Sequence, residues 1–514
     1  MYSKIISGAF LGVSAFLVSV EVDVSEGLPS FSMVGSLSCE VREAKERVWA
    51  ALKNIGLAIP PTHITVNLSP ADLKKGGTAM DLPIAVGLLE ALKYFREGSA
   101  KDILFLGELG LNGEVKTVHG VLPVVREAVK WGVRECIVPK VNVAEAAVIP
   151  EMTVRGVGSL QELLHFLQAK EEDRNGLLPP QKIKVQKLFE KNKAGEELDF
   201  SQVNGQESAK RAAQIAAAGF HNLLMVGPPG AGKSMIAKRI PGIMPPLTLE
   251  ESLEVTSIYS VAGLLKEDQA LVTERPFQSP HHTISQSALT GGGSVPKPGI
   301  ISLAHRGVLF LDELPEFSRN VLDSMRQPME NHEIQVVRVN GNVCYPADFM
   351  LVGAMNPCCC GYYPDRNRCR CSQVQIKKYM GKISGPLLDR IDLCVELMPV
   401  DITGLQDARK GLGSERLKAG VELALKRQKE RFLGTGYHFN SELTGDDVEK
   451  YCTLGKAQKR CMESLYHSME LSARVYHKII KVARTIADLE DSEQIEEEHL
   501  LEAACYRPSE EYWL

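Results

Sequence analysis

Gly227-Pro-Pro-Gly-Ala-Gly-Lys-Ser234 stands directly after the apolar run Leu223-Leu-Met-Val226 and directly before Met235-Ile-Ala-Lys-Arg239. The order is strand, glycine loop, helix, and the loop satisfies the spacing G-x-x-x-x-G-K-[ST]. Such a loop needs glycines because its backbone must wrap a chain of phosphates and turn bare N–H groups towards them, while the start of the following helix adds positive potential. Gly227, Pro228, Pro229, Gly230, Ala231, Gly232, Lys233 and Ser234 are therefore the expected nucleotide-binding residues, with Lys233 on the β- and γ-phosphates and Ser234 on magnesium. The expected cofactors are ATP and Mg2+.

A second half to this site lies about eighty residues on, in Val308-Leu-Phe-Leu-Asp-Glu313. Alone, an acidic pair behind four apolar residues is more often a solvated strand end. Following a phosphate loop, it reads as Asp312 holding magnesium through water and Glu313 polarising the attacking water. Working outward, residues 199–396 carry strand-like runs at Leu223–Val226, Val308–Leu311 and Met350–Ala354 between helical stretches, which predicts a parallel sheet with covering helices. Residues 397–514 lose strand signals and run in Glu-, Lys-, Leu- and Ala-rich helical segments, a helical lid. Residues 1–168 alternate strands (Ile64–Leu68, Ile103–Leu106) and helices (Val41–Asn54, Val121–Trp131), a separate α/β domain, and the charged, Pro/Gly-punctuated stretch 169–198 is a linker.

Composition sets the outer limits. At 514 residues the chain exceeds one hydrophobic core, and 44% hydrophobic with 24% charged residues is the profile of globular domains. A net charge of −5 gives no global attraction to nucleic acid, so any such surface must be local. The apolar run Ile5–Val20 passes into the alternation Val20, Val22, Val24 and reads as buried strand rather than as a leader. Membrane spans are not expected, and a cytoplasmic location is. Twelve cysteines then read as thiols or metal ligands.

Five phrases carry a resemblance: Gly107-Glu-Leu-Gly-Leu-Asn-Gly-Glu-Val115, Pro280-His-His-Thr283, Ala354-Met-Asn-Pro357, Ser384-Gly-Pro-Leu-Leu-Asp-Arg390 and Leu471-Ser-Ala-Arg474. With the two nucleotide motifs, they make segment 200–396 resemble AAA+ ATPases of the magnesium-chelatase-like branch, and the whole chain is similar to the ComM/YifB family. The resemblance implies Asn356 as sensor 1, orienting the hydrolytic water, Arg390 as the arginine finger completing a neighbour's site, and Arg474 as sensor 2. A finger acting in trans implies a ring, expected as a homohexamer.

Behind Asn356 come Cys358-Cys-Cys360 and Cys369-Arg-Cys371, two C-x-C pairs. Four thiolates can close a tetrahedral zinc site, and the resemblance implies Cys358, Cys360, Cys369 and Cys371 as the four, with Cys359 standing where relatives carry proline; the other reading is free thiols in a loop. Between Cys358 and Arg390, seven Lys or Arg face two Asp, locally +5, with the rings of Tyr362, Tyr363 and Tyr379 interleaved as expected faces for stacking on bases. Arg366, Arg368, Arg370, Lys377 and Lys378 are accordingly candidate nucleic-acid contacts, against the reading of a solvated basic loop. The alternation Ile334–Val339, the turn Asn340-Gly341 and Val343–Tyr345 predict a β-hairpin, with Arg338 and Asn342 as candidate strand contacts or, more plainly, an ordinary sheet hairpin. Pro280-His281-His282 could ligate metal but reads better as structural or pore-loop.

Residues 1–168 resemble the proteolytic domain of Lon, whose serine and lysine dyad falls here near Met80-Asp81 and Leu122. Neither position suits that chemistry. The domain is expected to be catalytically inactive, a scaffold or a seat for a protein partner. Two functions compete: a DNA-acting ring motor of the branch-migration or helicase type, serving recombination of incoming DNA as the resemblance implies, and a protein remodeller like the chelatase motor subunit.

Overall fold

The computed structural model describes residues 1–191, 198–267, 269–293, 296–338, 341–399 and 412–507. The predicted alternation of apolar residues near the N-terminus becomes the antiparallel hairpin β1 (Tyr2–Leu11) and β2 (Ser14–Ser25), registered Ile5 to Val20. With β3 (Ser30–Val34), β4 (His63–Ser69), β5 (Ile103–Phe105), β8 (Glu135–Pro139) and β9 (Thr153–Val157) it forms a seven-stranded mixed sheet in the order β3-β4-β2-β1-β5-β8-β9. The small pair β6 (Glu108–Leu109) and β7 (Val115–Lys116) stands beside it. Period-two alternation sends Ile5, Val20 and Val22 to one face, under the helices Ala44–Asn54, Asp81–Ala91 and Leu160–Gln168. The opposite face, with Leu104, Cys136 and Val138, lies under the helix Val121–Lys130.

That second face is not closed by the N-terminal residues alone. Ala270 and Leu271, both buried, and Leu253 pack into the same apolar cluster as Val121, Leu122 and Val125. They come from beside and within the helix Leu249–Ala262, which follows the phosphate loop in sequence and lies against Val121–Lys130. At the seam the Gly120 N–H donates to Ser260 Oγ at 3.1 Å and to the Ser260 carbonyl at 3.3 Å. Leu122, where the resemblance to Lon would place a lysine, is fully buried there.

The segment expected to bind nucleotide contains a five-stranded sheet in the order β11 (Phe277–Gln278), β14 (Val308–Leu311), β17 (Met350–Met355), β10 (Leu223–Val226), β18 (Leu393–Glu396), with every neighbouring pair parallel. Its central strands are buried throughout, as near-continuous apolar runs require when both faces are covered. Two small antiparallel hairpins project from it: β12 (Gly291–Gly292) with β13 (Lys297–Pro298), and β15 (Glu333–Arg338) with β16 (Gly341–Pro346). The second is the predicted hairpin, its turn lying outside the described residues. The C-terminal helices from Ser414–Arg431 to Glu497–Cys505 rest on the alanine-rich helix Glu207–Gly219. Asp488, fully buried there, accepts from Asn440 Nδ2 at 2.9 Å and from Arg431 and Arg484.

The stretch 169–198, expected as a linker, contains the short helices Glu171–Leu177 and Val185–Lys191. Its first part is fastened to the N-terminal domain: Arg155 donates to the Leu178 carbonyl and to Asn175, Arg155 and Arg174 stack on the Phe166 ring, and the Gln181 N–H pairs with the Val154 carbonyl at 2.8 Å. Charge composition hid this, because the anchoring contacts are made by backbone and by a partner chosen in space. Truncating the seam is expected to loosen the two units: Leu271→Ala should cost on the order of 2–5 kcal/mol, read as a lowered melting transition and faster proteolytic cleavage near residues 182–198 in the full chain.

Candidate nucleotide site and nucleic-acid surface

The phosphate loop leaves β10 at Val226 and is tied to the next strand by the Gly227 N–H, which donates to the Met355 carbonyl at 3.1 Å. A Cβ on Gly227 would stand 2.7 Å from the Leu397 carbonyl, so only glycine fits between β10 and β18. Gly230 and Gly232 take φ of +80° and +92°, the left-handed turn that swings the chain into the helix Lys233–Ile243. Lys233 is buried, and its Nζ donates to the Gly227 and Pro228 carbonyls at 2.6 and 3.0 Å and to Asn356 Oδ1 at 3.0 Å. Burial lowers its pKa, opposed by the charges of Asp312 and Glu313. Ser234 Oγ donates to Asp312 Oδ2 at 2.8 Å. Lysine, serine, aspartate and asparagine from three parts of the sequence thus meet at one end of three adjacent parallel strands.

Such a cluster can hold a polyphosphate with a hard cation: backbone donors and an ammonium for the phosphates, a hydroxyl and a carboxylate for magnesium. Glu313 follows with φ of +53°, its side chain more than half exposed. Its Oε2 lies 3.5 Å from Nδ1 of His282. The spacing of Pro280-His281-His282, expected as structural or pore-loop, does not reveal this pairing. The available signal was positional, since the histidines leave a strand adjacent to β14.

The two further arginines stand apart from this cluster. Arg390 pairs with Glu330 and donates to the Pro386 carbonyl. Arg474, 73% exposed at the start of the helix Ala473–Leu489, lies 3.6 Å from Asp389. Asp389 is the residue before Arg390, so both guanidinium groups belong to one surface region.

The four cysteines predicted as a set are brought together, their sulfur atoms all within 4.8 Å of one another. Cys358 and Cys369 are buried, Cys371 half-buried and Cys360 exposed, with Cys358 Sγ 3.3 Å from Cys360 and 3.7 Å from Cys369. Tetrahedral zinc with bonds of about 2.3 Å spaces its sulfurs by roughly 3.8 Å, so the cluster has the size of a zinc site. Burial opposes ionisation of Cys360, but the Tyr362 N–H and the neighbouring thiols hold its pKa down to about 6. Cys359 points elsewhere, towards the Gln375 carbonyl at 3.9 Å. The loop is also joined to the nucleotide site: Gly361, at φ of +85°, approaches so closely that a Cβ would stand 2.6 Å from Pro229 Cδ.

Arg366, Arg368 and Arg370 are exposed on this loop, and Lys377 and Lys378 are exposed on the last turn of the helix Gln373–Met380. The rings expected to offer faces to bases are differently used. Arg366 lies 4.9 Å over Tyr363, Arg368 4.2 Å over Tyr362 and Lys382 5.4 Å over Tyr379, which is itself buried. Cation and ring attract each other in water too, so interleaving them in sequence favours pairing within the loop. On the hairpin, Asn342 is exposed and registered with Val337, whereas the side chain of Arg338 lies outside the described residues.

The chain matches family models for magnesium chelatase subunit ChlI over residues 20–142 and 199–405 and for the C-terminal part of that subunit over 411–507. It is 41% identical to the competence protein ComM of Haemophilus influenzae over 98% of this chain and 96% of that one. The chain belongs to the ComM/YifB family. YifB of Escherichia coli, named as uncharacterised, is 40% identical over 97% of this chain and 96% of its own length. The 38 kDa magnesium-chelatase subunit of Cereibacter sphaeroides is 26% identical over 31% of this chain and 52% of its own. As a ComM/YifB protein of the magnesium-chelatase-like AAA+ class, it is implied to hydrolyse ATP. Among the described residues no helix is long and apolar enough to cross a membrane.

The close approach of Gly361 to Pro229 gives a test of how tightly the cysteine loop and the phosphate loop depend on each other. Gly361→Ala is strained both by its φ and by contact, and a fluorescent ATP analogue is expected to bind it more weakly by about tenfold, or roughly 1.4 kcal/mol, at unchanged secondary structure.

Proposed function

We propose that this ComM/YifB protein is an ATP-driven ring motor acting on DNA, of the branch-migration or helicase type, in recombination of incoming DNA. The observation that carries the reading is the seating of Gly361 on Pro229, because it places the basic cysteine loop in contact with the loop that reads the nucleotide's phosphates. A change of phosphate occupancy then moves the surface that would hold DNA. In this reading Ser234 and Asp312 hold Mg2+, Glu313 activates the water, Asn356 orients it and Lys233 neutralises the γ-phosphate. Arg390, on a surface away from its own phosphate loop, completes the site of a neighbouring subunit in a homohexamer as its arginine finger, and Arg474 in the helical lid serves as sensor 2. Arg366, Arg368, Arg370, Lys377, Lys378, Arg338 and Asn342 contact single-stranded or branched DNA. Tyr362 holds Arg368 while the edge of its guanidinium faces phosphate oxygens, and Arg366, stacked on Tyr363 with Nη1 donating to the Cys371 carbonyl at 2.9 Å, offers its remaining N–H groups. The relative named as a competence protein supports this direction.

ATP hydrolysis by the purified chain is expected to rise several-fold with single-stranded or branched DNA. Lys233→Ala and Glu313→Gln should each lower turnover by two orders of magnitude or so, the usual scale for losing a principal catalytic group. Neutralising Arg366, Arg368 and Arg370 together should abolish the stimulation and flatten the salt dependence of DNA binding. Turnover indifferent to every DNA, but raised by a protein client, would replace this reading with the remodeller.

We propose further that Cys358, Cys360, Cys369 and Cys371 hold a structural Zn2+ that fixes the basic loop. Metal analysis should return one zinc per chain, lost in Cys358→Ser with Cys369→Ser and retained in Cys359→Ser. A full complement in the double variant would defeat the assignment.

A further inference from the structure

We infer that Lys478 is a positioning residue for Arg390: from the lid helix Ala473–Leu489 it fixes the backbone of the turn that carries the arginine. The inference rests on the reading of Arg390 as the finger that completes a neighbour's site. Arg390 follows the short helix Gly385–Leu388, and the Arg390 and Ile391 N–H groups donate back to the Leu387 and Leu388 carbonyls, both at 3.0 Å, before β18 begins at Leu393. This turn is gripped from two sides. On one side stands Asn222, the residue that leads into β10. Its Nδ2 donates to the Arg390 carbonyl at 2.8 Å and its N–H to Asp392 Oδ2 at 3.1 Å, while its Oδ1 accepts from the Leu351 N–H at 2.8 Å. On the other side stands the lid helix, where Lys478 Nζ donates to the Ile391 carbonyl at 2.7 Å and lies 3.9 Å from Asp392 Oδ1.

The helix meets this region with a single stripe. Arg474, Lys478 and Thr485 are spaced so that they fall within about 40° of one line along an α-helix of 3.6 residues per turn. Arg474 faces Asp389 at 3.6 Å, and Thr485 Oγ1 lies 2.9 Å from Nε2 of His221, the residue before Asn222. Of the two cations Lys478 is the buried one, its side chain 16% exposed against 73% for Arg474. An exposed pair such as Arg474 with Asp389 contributes little, whereas a buried ammonium stays on its partners because losing them leaves a desolvated charge. The turn also borders a cavity of about 400 Å3 lined by Leu388, Ile391, Val475 and Ile479, which leaves it room to shift once Lys478 is removed. In the single chain the Arg390 guanidinium pairs with Glu330, so it must swing to reach a neighbour's γ-phosphate. A swinging side chain is placed only as accurately as the backbone that anchors it. Lys478 thereby makes the finger of one subunit answer to the position of that subunit's own lid.

The test is steady-state phosphate release by the full chain for wild type, Lys478→Met, Lys478→Arg and Arg390→Ala, each alone and after mixing with an excess of Glu313→Gln chains. Lys478→Met, which keeps the volume and removes the donor, is expected to lower kcat about tenfold, the scale of a small misplacement of a reacting group. The KM for ATP should not change, since the variant's own phosphate loop is intact, and Lys478→Arg should retain most of the rate. Mixing separates positioning from damage to the fold. A Glu313→Gln chain hydrolyses little but carries an intact finger, so adding it should raise the turnover per Lys478→Met chain severalfold, as it should for Arg390→Ala. The double variant of Lys478→Met with Arg390→Ala should be no slower than Arg390→Ala alone. An unchanged kcat or a raised KM in Lys478→Met, further loss in the double variant, or a rate that Glu313→Gln chains fail to raise although they raise that of Arg390→Ala would overturn the inference. If Arg390→Ala keeps the wild-type rate, or is not raised by mixing, it is the finger reading that fails, and the positioning role falls with it.

Discussion

The structure turns on keeping one lysine ammonium buried at the ends of three parallel strands. Lys233 satisfies its protons with two loop carbonyls and with Asn356, and that arrangement requires β10 to lie between β17 and β18 with almost no room to spare. The Gly227 N–H bonded to Met355 and the missing Cβ of Gly227 against Leu397 set that spacing. A buried charge without partners would be far costlier than the hydrogen bonds it makes. The sheet order, the glycines and the asparagine are therefore one requirement seen from three places. Ser234 and Asp312 extend the same cluster to the strand beyond.

Around that centre, the molecule is built so that few parts can move alone. The helix Leu249–Ala262 closes the open face of the N-terminal sheet, and Ala270 and Leu271 enter its core. At the β1–β2 turn, Gly12 passes so close to the other hairpin that a Cβ would stand 2.4 Å from Val343 Cγ1. The base of that hairpin is held by Asp348, which faces Arg306 at 2.7 Å and His332 at 3.0 Å, and Arg306 reaches Glu254 on the bracing helix at 3.3 Å. In the N-terminal domain the two positions matched to Lon carry Met80-Asp81 and Leu122, all three buried, with the Asp81 carboxylate paired to Arg47.

Much of this is legible in the sequence. Local periodicity announced the N-terminal strand run, β4 and β5 of the first sheet and β10, β14 and β17 of the second, because a half-buried strand alternates and a doubly buried one is apolar throughout, whereas β3, β8, β9, β11 and β18 left no such signal. The phosphate loop announced itself because its chemistry tolerates few substitutes at each position. The two C-x-C pairs declared a possible four-sulfur cluster, and their sulfurs do converge. Less legible were the uses of residues whose partners lie far away in sequence. Tyr362 and Tyr363 looked like platforms for bases, yet each carries an arginine of its own loop. Residues 171–191 looked like a tether, yet they form two helices whose first part Arg155 pins down. His282, read as structural or pore-loop, faces Glu313 only because β11 lies beside β14.

Sequence by itself determined the chemistry available to this protein: a phosphate loop, an acidic pair, a cysteine set and a basic segment, each written in short-range spacing that backbone geometry reads directly. Tertiary structure decided which of those groups address one another. Gly361 resting on Pro229, Ser260 capping the approach to Gly120 and His282 facing Glu313 all depend on strand order and on helices crossing between units. No local pattern encodes those choices, since a contact across a hundred residues is selected by the packing of the whole core and not by the residues that happen to touch.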